Sequence, residues 1–487
     1  MKNKNIFSSI GILLFGIIIF SYITTKATVS SFTIDESFTY LNFVHYSFMD
    51  ILAHRHPYSN NHLLNSMFMK YSELAFGSSE IALRLPNLIL LLVFFIYTFL
   101  LLRKFNWILS VSIFVLMSTN TILIDLFGLA RGYGISIGFM MMSLYHLIQS
   151  FYTNKNKNLV LFNISGSLAI LSHFTMLDFY LAALLTFNLI IFIDCRYMSN
   201  IKFNFFKTNK VNLIMMLISA LFLYEPVRRV IKFNVFDSGG RSGLFHNTVA
   251  SIINISFLNI DINPLKMFFL QLLVISIVFI SLSLTIINLY KGKREFFQKN
   301  KALIITNLIL LTISFEIILQ HFLFKTDFVI GRFAMFLFPL LILNLGYLFN
   351  YVSGQRFRKI VLSFSLFLAL FSSINFYKNS NLYSCAEWGF DMETKNALKK
   401  LIAYRNQTES KQTNIRLGVN WLFESTINFY KQVWQIDWLL PVDRNGPTIN
   451  DDYFYICDSD LTKINLKKYE VLFSSERTNT ILIKNNK

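Results

Sequence analysis

The segment IFSSIGILLFGIIIFSYIT, residues 6–24, carries no charged side chain. A helix of about 20 apolar residues spans a hydrocarbon core of roughly 30 Å, and it satisfies its backbone hydrogen bonds internally where no water is present. Residues 6–24 are therefore predicted to cross a membrane. The apolar run is longer than the core of a cleaved signal peptide, and no small-x-small site follows it, so we expect the helix to be retained.

Apolar segments of this kind recur along most of the 487 residues, in a chain that is 54% hydrophobic and only 15% charged. Soluble domains contain about 25% charged residues, so the composition favours a membrane protein. The later spans are predicted near residues 85–102, 107–128, 132–151, 159–175, 176–194, 211–231, 265–290, 302–322, 331–350 and 360–377. The predicted fold class is an all-α polytopic membrane bundle of about eleven transmembrane helices in a lipid bilayer.

Lysine and arginine are concentrated at the N-terminus and in every second loop between the predicted spans. Basic residues flank the cytoplasmic ends of membrane helices, so these loops and the N-terminus are predicted to face the cytoplasm. The net charge of +18 is thereby explained by basic loops that orient the protein in the membrane, and no nucleic-acid partner is expected. Few Gly and Pro, many Asn, Lys, Ile and Phe, and the lack of organellar signals favour a multi-pass protein of the bacterial inner (cytoplasmic) membrane.

The first loop and the C-terminal residues lie on the opposite, extracytoplasmic side in this topology. Residues 25–83 form a predicted outer cap, in which 36–53 and 61–76 have apolar residues at helical spacing and are predicted to be amphipathic surface helices. After the last span the sequence becomes polar, with predicted helices over 391–404 and 421–434 and predicted strands, rich in aromatic and β-branched residues, over 452–457 and 478–483. The predicted division is a transmembrane domain, 1–377, and a small extracytoplasmic α/β domain, 378–487.

Asp35 and Glu36 follow the first span at the start of the first predicted surface helix. Two interpretations are open. A carboxylate at this position caps the helix or interacts with its dipole. Alternatively, it is a general base or a metal-binding acid placed where a lipid head group would arrive. Deprotonating an acceptor hydroxyl raises its nucleophilicity toward a sugar carbon, and a carboxylate also stabilises an oxocarbenium-like sugar.

Arg131 and Arg332 both lie at the predicted outer ends of spans, on the same side as Asp35. Arginine near a helix end often extends its charged head to the interface while its stem lies in the apolar region. The functional interpretation is that the planar guanidinium fork binds a phosphate. Their position on the side of Asp35 makes both arginines candidates for binding a phosphate group.

Histidines His54, His56 and His62 lie close together in the outer cap, and His173 lies in a tight outer turn between two spans. They could contact a polar acceptor or a lipid head group, or lie at the surface without a role. No pair has the spacing of a zinc motif, so we assign no metal ligand and no cofactor from the sequence. A divalent metal stays an open alternative.

Short motifs occur in chain order between residues 6 and 350. They are Asp35-Glu36, His56-Pro57-Tyr58 before Asn61-His62-Leu63-Leu64-Asn65, Gly77-Ser78-Ser79-Glu80-Ile81-Ala82-Leu83-Arg84-Leu85-Pro86, Ala130-Arg131-Gly132-Tyr133, and Gly331-Arg332-Phe333 with Pro339. Together they resemble motifs of GT-C-type polytopic membrane glycosyltransferases, the superfamily of the protein O-mannosyltransferases and the lipid A aminoarabinose transferases. Where that family has Pro-Pro-Leu-Tyr, this chain has His56-Pro57-Tyr58-Ser59, a departure that bears on the sugar or the acceptor.

The resemblance implies a GT-C-like fold, a polyprenyl-phosphate-sugar donor lipid and inversion at the anomeric carbon. The implied acceptor is extracytoplasmic: a glycolipid, a cell-envelope glycan or a protein. Asp35 becomes the leading catalytic acid-base candidate, with Glu36 in support. The candidates for binding the donor phosphate or the substrate are Arg131, Tyr133, Arg332, His56, His62 and His173.

Two other functions are open. A transporter or flippase of a lipid-linked or anionic substrate predicts broken helices or an inverted repeat, and we find neither pattern in the sequence. An O-antigen polymerase or ligase predicts its key residues in a large late outer loop, here 232–264 with Asp237 and Arg241. The sequence contains neither a glycine-rich phosphate loop nor a dinucleotide fingerprint, which disfavours an ATP-driven pump and a soluble-type nucleotide-sugar enzyme.

Overall fold

The computed structural model describes residues 2–485 except for positions 57, 59, 154, 196–203, 234–238, 292–293, 355–356, 409–413, 449, 458–459 and 461–468. Pro57 and Ser59 of the motif at 56–59, and Asp237 of the late outer loop, lie outside the described residues. The described chain is a bundle of long helices, with shorter helices and a small sheet at the end where the first loop lies.

The α-helices of the described residues follow one another in this order: α1 Lys2–Val29, α2 Ile34–Thr39, α3 Phe48–Leu52, α4 Leu63–Phe76, α5 Glu80–Leu102, α6 Trp107–Ser118, α7 Thr121–Asp125, α8 Gly132–Gln149, α9 Lys155–Ser172, α10 Met176–Ile193, α11 Phe205–Lys232, α12 Ala250–Ser256, α13 Pro264–Tyr290, α14 Arg294–Lys299, α15 Lys301–Phe324, α16 Leu337–Ser353, α17 Arg358–Asn379, α18 Thr394–Thr408 and α19 Glu424–Val433.

Seven helices of the described residues are long and apolar enough to cross a membrane. They are Ser9–Val29 of α1, Phe205–Arg229 of α11, and the whole of α5, α10, α13, α15 and α17. Large apolar side chains lie on the outer faces of these helices, as expected where the neighbour is lipid. Every predicted span overlaps at least one helix, which confirms the all-α polytopic bundle and makes the chain an integral membrane protein. The count of eleven spans stays a prediction.

Two of the predicted spans are interrupted. The predicted span 107–128 divides into α6 and α7, because the Asn120 side chain accepts a hydrogen bond from the Leu123 backbone N at 3.0 Å and thereby caps a new helix. The predicted span 331–350 begins with a 3-10 turn, Gly331–Phe333, and α16 starts only at Leu337. The second interruption places Arg332 on an irregular turn at the end of the bundle.

A buried ion pair joins the first helix to the interrupted region. Lys26 Nζ lies 2.7 Å from Asp125 Oδ1, and both side chains are almost fully buried. Removing two charges from water is costly unless they neutralise each other, so each residue needs the other in this environment. The pair fixes the end of α1 against α7, close to the point at which the chain enters the outer cap.

The outer cap is built from short helical pieces. The predicted single helix over 36–53 is wrong: α2 continues into one π-helical turn, Tyr40–Val44, and α3 starts afresh because the Ser47 side chain accepts a hydrogen bond from the Asp50 backbone N at 3.1 Å. The second predicted surface helix is confirmed as α4. It ends at Gly77, whose φ of 80° is tolerated by glycine and whose N–H donates to the Glu73 carbonyl at 2.8 Å.

The C-terminal part contains a four-stranded sheet with strand order β1-β2-β4-β3. Its strands are β1 Leu417–Val419, β2 Tyr453–Cys457, β3 Tyr469–Ser475 and β4 Thr480–Asn485. β1 pairs with β2 in parallel, and β4 is antiparallel to both of its neighbours, with Phe454 opposite Ile483. The strands predicted from their aromatic and β-branched residues, β2 and β4, are confirmed, as is the small α/β character of this part.

An apolar cluster joins the C-terminal part to the outer cap. The Phe32 ring stacks on Phe429 with centroids 4.3 Å apart, and Tyr40 meets the same ring edge-on at 5.0 Å. The Tyr430 hydroxyl accepts a hydrogen bond from the Phe32 backbone N at 2.8 Å. All four side chains are buried, so helix α19 packs directly on the loop that leads into α2.

Candidate active site

The loop between α1 and α2 ends in a capping box. The Thr33 side chain accepts from the Glu36 backbone N at 3.4 Å, and the Glu36 carboxylate accepts from the Thr33 backbone N at 2.9 Å and from its hydroxyl at 3.0 Å. The helix-capping interpretation therefore applies to Glu36. The Thr-x-x-Glu spacing is the sequence signature of this box and could have identified it in advance.

Glu36 is also the buried partner of Arg84 on α5. Nε and Nη2 of Arg84 donate to the two carboxylate oxygens at 2.8 and 2.7 Å, and neither side chain is exposed. The Arg84 nitrogens also donate to the carbonyl oxygens of Ala27, Ser30 and Ser31. The Ala130 backbone N donates to Glu36 at 2.6 Å. Because both oxygens are fully engaged inside the protein, the geometry favours a positioning role for Glu36 over contact with a substrate.

Asp35, the neighbouring residue, has a different environment. Its side chain is 21% exposed, and its Oδ2 lies 3.6 Å from Arg131 Nη2 and 3.7 Å from Arg332 Nη2. Among the described residues, neither carboxylate oxygen of Asp35 accepts a hydrogen bond at normal length. The carboxylate is therefore neutralised by two nearby positive charges while its oxygens stay available to a ligand.

Arg131 holds the backbone around Asp35. It is 1% exposed, and its Nη1 donates to Thr39 Oγ1 at 3.0 Å, to the Asn60 carbonyl at 3.1 Å and to the Asp35 carbonyl at 3.3 Å. Its Nη2 donates to the Asn60 side-chain oxygen. The Nε–H of Arg131 is buried and has no partner in the part of the chain that the structure describes. A buried donor of this kind marks a place where a water or a ligand atom can bind.

Arg332 is the more accessible arginine, with 28% of its side chain exposed. Its Nε donates to the Tyr133 hydroxyl at 2.9 Å, and its Nη1 donates to Glu387 Oε2 at 2.7 Å. The guanidinium lies 4.8 Å from the centroid of the Trp388 ring, a distance typical of a cation–π contact. Glu387 and Trp388 belong to the 3-10 turn Ala386–Asp391, which follows the last span.

Three rings lie beside the arginines. The His62 centroid is 5.0 Å from Tyr133 and 5.0 Å from His173, and Tyr133 is 4.7 Å from His173. Gly132 permits this packing, since an added Cβ would clash with the last carbonyl of α9 and lie 2.8 Å from the His62 side chain. Burial, and then the neighbouring positive charges, lower the pKa of His62 well below its usual range, so this ring is neutral at physiological pH. Its Nε2 is buried without a partner among the described residues.

The structure brings together most of the candidates from the sequence, namely Asp35, Arg131, Tyr133, Arg332, His62 and His173. His56 is elsewhere in the cap, where its ring stacks on Tyr46 at 4.2 Å. No group of three or more His, Cys, Asp or Glu residues among those described is arranged to hold a metal ion.

The residues that surround these candidates were not predicted from the sequence. Arg84 stood in a motif without an assigned role, and only its burial against Glu36 shows what it does. Glu387 and Trp388 gave no local signal, because they follow the last span and reach Arg332 only through the fold.

The fold is similar to that of solved membrane-protein structures. ArnT from Cupriavidus metallidurans in the apo state aligns over 97% of this chain and 96% of that chain, with 9% sequence identity and a TM-score of 0.50. ArnT from the same organism bound to undecaprenyl phosphate covers 97% of both chains at 10% identity and a TM-score of 0.43. The archaeal oligosaccharyltransferase AglB from Archaeoglobus fulgidus, in complex with an inhibitory peptide and a dolichol-phosphate, covers 97% of this chain and 74% of its own at 12% identity and a TM-score of 0.45.

By sequence, no family model and no curated protein matches the chain. At identities this low a structural likeness concerns the fold, and the alignment with apo ArnT extends over nearly the whole length of both chains. The predicted resemblance is thereby confirmed at the level of architecture: this chain has the fold that is seen in apo ArnT.

Proposed function

We propose that this chain is an inverting glycosyltransferase that moves a sugar from a polyprenyl-phosphate donor lipid to an extracytoplasmic acceptor. The acceptor classes are a glycolipid, a cell-envelope glycan and a protein. The observation that supports this proposal best is the pairing of a partly exposed carboxylate, Asp35, with two guanidinium groups within 4 Å, at one end of a membrane bundle. A base and a phosphate-binding cation are the two groups that this reaction requires.

In the proposed reaction an acceptor hydroxyl attacks the anomeric carbon of the donor sugar. Asp35 takes the proton of that hydroxyl, the new C–O bond forms, and the bond between the anomeric carbon and the phosphate oxygen breaks. The polyprenyl phosphate leaves with the electron pair. Attack opposite to the leaving group inverts the anomeric configuration.

Arg332 is the group that we assign to the leaving phosphate. It is the more exposed of the two arginines, and its Nη2 lies 3.7 Å from the Asp35 carboxylate, so a phosphate bound there would lie beside the base. A guanidinium stabilises the charge that develops on the phosphate as the bond breaks. Arg131, which is buried and engaged with the cap backbone, is proposed to hold Asp35 in position.

The three rings complete the proposed site. His62, Tyr133 and His173 form an aromatic wall next to the arginines, and the Nε2 of His62, which has no partner among the described residues, offers one hydrogen-bonding position to a sugar or a phosphate oxygen. The proposed location is the bacterial inner membrane, with the N-terminus in the cytoplasm. Loop charge supports that orientation, which puts Asp35 and residues 378–487 outside the cytoplasm.

A transfer assay tests the proposal. Purified protein in detergent is incubated with radiolabelled polyprenyl-phosphate sugars and an envelope extract, and transfer is compared among the wild type, Asp35→Asn and Asp50→Asn. Asp50 is a matched control because it is a carboxylate of the same cap, paired with Arg55 at the surface. We expect transfer with the wild type and Asp50→Asn, and a loss of about 10²- to 10⁴-fold with Asp35→Asn.

The outcomes separate the parts of the proposal. Transfer that survives Asp35→Asn undiminished would remove Asp35 as the base, and a product with retained configuration would contradict inversion. If folded wild-type protein transfers no sugar from any donor in the panel, the glycosyltransferase proposal itself is wrong.

A further inference from the structure

Arg332 is anchored at two of its three nitrogens. Nε donates to the Tyr133 hydroxyl at 2.9 Å, and Nη1 donates to Glu387 Oε2 at 2.7 Å. Nη2 makes no hydrogen bond with any described residue and lies 3.7 Å from Asp35 Oδ2. A guanidinium held in this way has one nitrogen, Nη2, whose two N–H donors are both free, and that nitrogen faces the proposed base.

The anchor at Nη1 comes from the C-terminal part of the chain. Glu387 lies in the turn Ala386–Asp391 and packs over the backbone at Gly331, where an added Cβ would be 3.7 Å from Glu387 Oε1. Gly331 has a φ of 56°, so the turn that carries Arg332 has the left-handed backbone that favours glycine. Glu387 thus reaches both the side chain of Arg332 and the turn from which it projects.

The aromatic rings restrict Arg332 further. The guanidinium lies 4.8 Å from the Trp388 centroid and 5.6 Å from the Tyr133 centroid. Rings of this kind attract the cation without fixing the rotation of its plane, whereas a directed hydrogen bond to a carboxylate fixes it. The direction of Nη2 therefore depends on Glu387 and Tyr133 together.

We propose that Glu387 is a positioning residue of the transfer site, contributed by the C-terminal part of the chain, which orients Arg332 so that Nη2 presents its donors to a lipid phosphate beside Asp35. This inference rests on the proposed function, because it explains how Arg332 is oriented for the phosphate binding assigned to it there. Its direct consequence is an affinity for a lipid phosphate that depends on Glu387, and this affinity is measurable without any sugar transfer.

The experiment is a binding titration of undecaprenyl phosphate with the purified full-length chain in detergent. It compares the wild type with Glu387→Ala, Glu387→Gln, Arg332→Lys and Glu393→Gln. Glu393 is the matched control, because it is a carboxylate six residues further along the same segment whose side chain bonds only Asn396 among the described residues. The melting temperature of each variant is recorded, and Glu387→Gln decides the result if Glu387→Ala fails to fold, because glutamine has nearly the same shape.

We expect the Kd for undecaprenyl phosphate to rise about tenfold in Glu387→Ala and Arg332→Lys. A smaller rise is expected in Glu387→Gln, because an amide oxygen still accepts from Nη1, and no change is expected in Glu393→Gln. In the transfer assay the donor KM should rise in the same order while the acceptor KM stays constant, a split that a general loss of structure would not produce.

The results distinguish this inference from the proposed function. Wild-type affinity in both folded Glu387 variants, with affinity lost in Arg332→Lys, would overturn the inference and leave the role of Arg332 intact. No binding by the wild type, or binding that is indifferent to Arg332, would overturn it as well. Binding that depends on Glu387 in a protein that transfers no sugar would uphold the inference and contradict the proposed function.

Discussion

Arg84 and Glu36 form a bidentate ion pair, with N–O distances of 2.8 and 2.7 Å, in which neither side chain is exposed. The two residues are 48 positions apart, so the pair joins the second long helix to the first turn of α2. Glu36 uses the same carboxylate to close the capping box with Thr33. The position of Asp35 at the surface of the site is therefore set by a buried network one residue further along the chain.

Breaking this pair is predicted to destabilise the protein. Glu36→Gln or Arg84→Met leaves a buried charge without its partner, at a cost of about 3–5 kcal/mol. Arg55→Ala removes one side of the solvent-exposed Arg55–Asp50 pair and should cost about 1 kcal/mol or less. Thermal unfolding in detergent measures all three, and equal shifts for the buried and the exposed pair would contradict the structural role assigned to Glu36.

The two arginines near Asp35 are predicted to respond differently to lysine. Arg332→Lys should raise the donor KM by about tenfold, or about 1.4 kcal/mol, with a small effect on melting temperature, because Arg332 is partly exposed. Arg131→Lys should lower both activity and melting temperature, because its buried guanidinium binds Thr39 and Asn60. Steady-state kinetics with varied donor, combined with melting curves, measure both effects. A stability loss confined to Arg332→Lys would contradict the assignment of Arg332 to phosphate binding and of Arg131 to positioning.

The hydroxyl of Tyr430 is predicted to stabilise the packing of the C-terminal part on the outer cap. The Tyr430 hydroxyl accepts from the Phe32 backbone N at 2.8 Å and donates to Glu80 Oε1 at 3.1 Å. Tyr430→Phe leaves a buried backbone N–H without an acceptor and should cost about 1–3 kcal/mol. Tyr404→Phe is the control, because its hydroxyl bonds Glu470 at the surface. Melting temperatures and limited proteolysis of residues 378–487 report the difference, and similar behaviour of both variants would argue against this contact.

Asp391 is predicted to make stability depend on pH. Burial raises the pKa of its carboxyl from 3.8 to about 7, although the hydroxyls of Thr394 and Thr426, each at 2.7 Å, lower it. The folded chain therefore keeps a proton that an unfolded aspartate releases near pH 4. The stability from this proton is complete below about pH 4 and is lost as the pH rises through about 7.

Melting temperatures of the wild type and Asp391→Asn between pH 4 and pH 8 test this expectation. The asparagine variant cannot ionise at this position, so its curve should fall less steeply than that of the wild type as the pH rises. Parallel curves would show that Asp391 does not titrate in this range.

The helices and their order followed from the sequence because membrane burial depends on local composition. Every predicted span overlaps at least one helix, and strands β2 and β4 lie at the expected segments. The interruptions at Asn120 and Ser47 were missed, because the apolar pattern continues through both positions. Whether such a side chain caps a new helix depends on the surrounding contacts. The division at residue 377 stays a prediction.

By itself the sequence determined that this is a helical membrane protein, and its motifs selected Asp35, Arg131, Tyr133 and Arg332 as candidates. Hydropathy and short motifs are local properties, and they can be read from consecutive residues. Only the tertiary structure decided that Asp35 is accessible while Glu36 is buried, and that Glu387 reaches Arg332 from beyond the last span. Those distinctions depend on contacts between residues far apart in the chain, and burial and pairing exist only once the chain has folded.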